Sequence, residues 1–119
     1  MNPKDHKVGE LREKLLLSND GLFKDNKNPK LLLAIRSKSP NVSRAFVINW
    51  ICEQGEDIYT LVAGIDLIFE VEISRVNEFE EPIVKVFSVS QYKKKYPYLS
   101  KISKRVLALA LRLIEDSSS

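Results

Sequence analysis

Three carboxylates, Asp66, Glu70 and Glu72, stand at even positions of one alternating run, and Lys85 stands in the next apolar run. On adjoining strands these four side chains have the composition of a site that holds Mg²⁺ and activates water, as metal-dependent nucleases do. Two features weigh against that chemistry. Acids alternating with apolar residues are also what the solvated face of a strand carries. Nuclease strands usually place the lysine close after a carboxylate, and here Ile73-Ser74 occupies that place.

Other catalytic chemistry has less support. His6 is the only histidine and lies near the start of the chain, so a Ser–His or Cys–His nucleophile pair is not indicated. One cysteine and one distant histidine cannot supply a structural zinc set. The four glycines, at positions 9, 21, 55 and 64, form no phosphate-binding loop. No metal and no cofactor is therefore expected. Cys52 is expected to be a small buried apolar residue rather than a reactive thiol.

Binding chemistry is better represented. Net charge is only +3, but its layout is uneven. Residues 1–52 hold ten bases and five acids; residues 53–81 hold nine acids and one base, Arg75; residues 82–114 hold eight bases and no acid. Segregated charge creates a local potential that a small net charge conceals. The strongest single-sign tract is Lys93-Lys94-Lys95-Tyr96-Pro97-Tyr98, continued by Lys101, Lys104, Arg105 and Arg112. These bases can neutralise phosphates, Tyr96 and Tyr98 can stack on bases, and the serines at 100 and 103 can donate to phosphate. A solvated helix face is often basic too, and no nucleic-acid-binding motif accompanies the tract. The helix macrodipole does not account for the bases near the helix start.

The elements that must position these residues follow from periodicity. Asp5 is a candidate cap for a first helix, with Val8, Leu11 and Leu15 on one face. Asn19-Asp20-Gly21 is turn chemistry and predicts a stop near Ser18. Leu22 and Phe23 then tuck a polar connection onto the core. Asn28-Pro29 reads as an N-cap followed by proline at the first helical position, although residues 30–36 also alternate like a strand. The first strand spans 44–53, with Phe46, Ile48, Trp50 and Cys52 on one face. A turn at Gln54-Gly55-Glu56-Asp57 returns residues 58–63 as a hairpin. Residues 65–73 alternate most cleanly, with Leu67, Phe69, Val71 and Ile73 facing the core and Asp66, Glu70 and Glu72 on an acidic, mostly wet face. A fourth strand is expected over 83–92, its alternation slipping at a bulge near Phe87. The last helix runs from about Tyr98 to Glu115. Its apolar arc, which includes Leu107, Leu111 and Ile114, is wide enough to serve either the monomer core or an interface with a second subunit. The serines at 117–119 are expected to fray.

The 119 residues thus suggest a single α+β domain: one four-stranded, mostly antiparallel sheet over about 44–92, with N-terminal and C-terminal helices packed on one face. No apolar run approaches the ~20 residues of a membrane span, the N-terminus lacks the apolar core of a signal peptide, and the single cysteine fits a reducing compartment. A cytoplasmic protein without membrane contact is expected. The first functional expectation is a non-enzymatic protein-binding module, such as an adaptor, inhibitor or regulatory subunit, working through oppositely charged faces toward a protein partner or as a homodimer. Nucleic-acid or other polyanion binding through 93–112 is the second, and a nuclease-like enzyme the third.

Overall fold

The computed structural model describes residues 3–117, with side chains from 7 to 116. His6 and the serines at 117–119, to which the sequence assigns a catalytic question and fraying, have side chains outside that range. The elements are α1 (Pro3–Phe23), α2 (Pro29–Lys38), β1 (Phe46–Glu53), β2 (Glu56–Gly64), β3 (Leu67–Ser74), β4 (Ile83–Phe87), α3 (Val89–Lys95) and α4 (Lys101–Ser117). The strands form one sheet in the order β1-β2-β3-β4, and all neighbours are antiparallel. This is the α+β class that the alternation of residues 44–92 implies.

Alternation along β2 and β3 builds a core on each side of the sheet. Leu61, Phe69, Val71 and Ile73 join Leu31, Ala34 and Ile35 of α2 in one. Val62 and Ile68 join Phe46, Tyr92, Leu107, Ala110 and Leu113 in the other. Helix α1 reaches both, through Leu22 and Leu15 respectively. The helices of the two termini therefore meet in the second core, while α2 covers the opposite face. A sheet buried on both sides leaves no wet face at its centre, so the acidic row of β3 is not the open surface that its alternation suggests.

Four local expectations are corrected. First, α1 starts at Pro3 and passes through Asn19-Asp20-Gly21 to Phe23. The polar side chains that suggest a turn are used elsewhere: Asn19 Oδ1 accepts the N–H of Ala45 at 3.0 Å and Ser18 Oγ that of Val47 at 3.0 Å. These bonds cover the outer edge of β1 at its start, and burial of Leu22 rewards the extra turn.

Second, β4 ends at Phe87. Ser88 is the N-cap of α3 in a capping box, accepting the N–H of Gln91, whose side chain accepts the N–H of Ser88 in return. The slip in alternation near Phe87 is a strand-to-helix switch and not a bulge. Residues 30–36, by contrast, are helical, with Asn28 capping Leu31 N–H at 3.2 Å and Pro29 opening the helix.

Third, β1 changes parity. Phe46 pairs with Val62 but Trp50 pairs with Tyr59, and the register shifts between Val47 and Asn49. Val62 and Tyr59 lie on opposite faces, so Phe46 and Trp50 do too. Trp50 stacks on Tyr59 with ring centroids 6.0 Å apart, outside the core. Cys52 is exposed rather than buried. The hairpin turns tightly at Gln54 and Gly55, both at positive φ, which sets Cys52 opposite Asp57.

Fourth, α4 begins at Lys101 rather than Tyr98. Pro97 and Tyr98 form a turn, and Ser100 Oγ accepts the N–H of Ser103 at 3.1 Å, as an N-cap does.

Candidate functional site

The acidic row and the basic tract meet at α3. Antiparallel pairing sets Thr60, Glu70 and Lys85 in one row across β2, β3 and β4. Helix α3 lies over that row, fixed at its start by Asp66, whose Oδ1 accepts the N–H of Val89 at 2.8 Å. Glu70 is only 7% exposed. A buried carboxylate requires donors and a countercharge. Tyr96 O–H donates to its Oε2 at 2.5 Å, and Lys95 Nζ stands 3.7 Å from Oε1. Burial, followed by the bond to Glu70 and its negative charge, holds the Tyr96 phenol well above its ordinary pKa. Burial and the Glu70 charge push Tyr92 in the same direction. Lys95 also lies over the rings of Phe87 and Tyr96, at 4.9 and 5.4 Å from their centroids.

The nuclease-like set is not one site: Asp66 lies in the turn before β3 and not on the strand with Glu70 and Glu72, and its members are separately engaged. Asp66 holds the α3 start, Glu70 holds Tyr96 and Lys95, and Glu72 meets Lys85 at 3.9 Å. Among the described residues, no three His, Cys, Asp or Glu side chains converge so as to hold a metal ion.

The basic set divides in two. Lys95 and Tyr96 are anchored on Glu70 and do not form a free stacking platform. Lys93, Lys94, Lys101, Lys104, Arg105 and Arg112 are exposed, and Tyr98 is 97% exposed. Of the interface candidates, Leu107 and Ile114 are buried within the chain at 2% and 6% exposure, and Leu111 is half-buried. Leu111 lines a groove of about 310 Å³ between the end of α3 and α4. Pro97, Leu99 and Ala108 supply further apolar wall, and Lys93 and Lys104 carry charge to its rim. The groove can hold an apolar side chain whose neighbours are anionic.

A second polar cluster is not apparent from composition. Asp57 Oδ1 accepts from Trp50 Nε1 at 3.2 Å and from the Cys52 thiol at 3.3 Å, and Arg75 Nε lies 3.5 Å away. The bond to Asp57 is the main cause that raises the Cys52 pKa, so the exposed thiol is held in its less nucleophilic form. The two-residue turn at 54–55 is the sequence signal that would have placed 52 beside 57.

Comparison with known proteins finds no matching family model, no matching curated protein and no matching solved structure. Among the described residues no helix is long and apolar enough to cross a membrane.

Proposed function

We propose that the chain is a small protein-binding module whose α3–α4 groove takes an acidic segment of a partner that carries apolar side chains. One observation carries this reading: the groove joins an apolar wall, including Leu99, Ala108 and Leu111, to the rim lysines Lys93 and Lys104. The surrounding stretch from 82 to 114 contains no acid. An apolar wall suits a peptide side chain better than a phosphate, while the rim steers an acidic partner toward it. Exposed Tyr98 beside this basic surface favours single-stranded nucleic acid as the second reading.

Fluorescence anisotropy separates the two readings. The probes are a labelled peptide of mixed glutamate and leucine and a labelled short single-stranded oligonucleotide. The peptide is expected to bind, and Leu111→Ser or the double change Lys93→Glu, Lys104→Glu should each weaken it about tenfold, or roughly 1.4 kcal/mol. Tighter oligonucleotide binding that falls log-linearly with salt and ignores Leu111→Ser would favour the nucleic-acid reading instead.

A further inference from the structure

The two edges of the sheet are finished differently. Edge strand β1 begins with its N–H groups covered by Ser18 and Asn19 of α1. Edge strand β4, Ile83-Val-Lys-Val-Phe87, has no strand beyond it, and among the described residues no other segment hydrogen-bonds to its outer edge. Exposed large apolar residues gather beside it: Ile83 and Val86 on the strand, Phe79 in the preceding loop at 88% exposure, and Leu33 on α2 at 70%. Between α2 and that loop runs a groove of about 440 Å³, with Leu33, Ala34 and Phe79 on its walls and Val84 of β4 at its base. Lys30 Nζ donates to the carbonyl of Glu78 at 2.9 Å and so ties the loop to α2. An open strand edge beside a side-chain pocket is the arrangement used by domains that bind a peptide as an added strand. The main chain supplies affinity and the pocket selects alternate side chains.

We propose that β4 accepts an added strand from a partner protein, and that this strand has a defined charge order. By alternation Val84 and Val86 lie on the α2 side of the sheet, Val84 in the groove itself, so the added strand needs apolar residues at the positions beside them. Lys85 faces the other way and ends the cross-strand row Thr60, Glu70, Lys85, so an acid fits beside it. Glu78, Glu80 and Glu81 border the groove before β4 begins, and bases fit where the added strand runs past them. A second copy of this chain is a poor occupant. Two-fold antiparallel pairing centred on β4 would set Lys85 beside Lys85, and like charges directly opposite are destabilising. This surface lies on a different part of the molecule from the α3–α4 groove and does not depend on it.

The test uses the full chain and two labelled peptides. One is Thr-Val-Glu-Val-Thr-Lys-Lys, written to pair antiparallel with β4; the other is its charge inverse, Thr-Val-Lys-Val-Thr-Glu-Glu. The first is expected to bind saturably and to slow amide exchange in residues 83–87. Phe79→Ser and Leu33→Ser, both on exposed side chains, should each weaken it about tenfold through lost apolar contact. The double change Lys93→Glu, Lys104→Glu should leave it unaltered. Failure of the first peptide to bind, equal binding by its inverse, or protection that falls outside β4 overturns the proposal. So does doubling of the mass by light scattering with the same amides protected in the chain alone, because the edge would then be a self-association surface.

Discussion

Glu70 shows how one residue type changes meaning with placement. Its side chain is in the row that alternation assigns to solvent, yet α3 covers it and Tyr96 and Lys95 satisfy it. Removing the Tyr96 hydroxyl leaves that carboxylate short of a donor. Tyr96→Phe is therefore expected to cost about 1–3 kcal/mol in urea unfolding. The same pair predicts a pH effect. The folded chain holds the Tyr96 phenol protonated beyond its ordinary pKa of 10.0, whereas the unfolded chain releases the proton there. The unfolded state then binds fewer protons, so stability is fully present below pH 10.0 and falls as pH rises above it. Tyr92 and Tyr59 shift in the same direction and add to the fall. Unfolding free energies measured on both sides of that pH should decline less steeply in Tyr96→Phe than in the wild-type chain. An equal slope in the two would place the shift elsewhere.

At the scale of the element, α3 is seven residues long, too short to be stable by propensity. It is held by the Ser88–Gln91 capping box, by Asp66 at its start and by burial of Tyr92. Ser88→Ala is expected to cost about 1 kcal/mol and to speed amide exchange in α3 before it affects the sheet. An unchanged exchange pattern would mean that packing alone holds the helix. This element also marks how far the sequence can be read. Ser88-Val-Ser-Gln91 is a capping signature in plain view, but a run of Val and Phe outweighs it when only period is counted. The same competition decides α1, where Asn19, Asp20 and Gly21 favour a turn on local grounds but the helix continues and carries Leu22 into the α2-side core. Strand β3 was legible because its apolar positions alternate without interruption, and the hairpin because a Gly-containing turn separates two apolar runs. The parity of Trp50 was not, because a single-residue register shift inverts every side chain beyond it. In the candidate site, the basic tract was legible as charge. The division between anchored Lys95 and exposed Lys93 was not, since it depends on where α3 lies over β3.

Over the whole molecule, the two cores share one sheet. Leu61 and Phe69 face one core, and Val62 and Ile68, their immediate neighbours, face the other. Neither helical layer can detach without exposing one side of β2 and β3, so the domain should unfold as a unit. Ile35→Ala perturbs the α2 core and Leu107→Ala the α4 core; each removes a buried side chain and should cost about 2–5 kcal/mol. Leu111→Ala, at the half-buried groove wall, should cost well under that. The distinguishing measurement is native-state hydrogen exchange in β2 and β3. If the cores are coupled, Ile35→Ala and Leu107→Ala each lower the protection of both strands by the full equilibrium change, whichever face was altered. Trp50 and Cys52, on edge strand β1, are exposed and belong to neither core, so this part of the hairpin should exchange by smaller openings in every variant. Loss of protection confined to the altered core's helix, with the strands unaffected, would show that the two layers unfold separately.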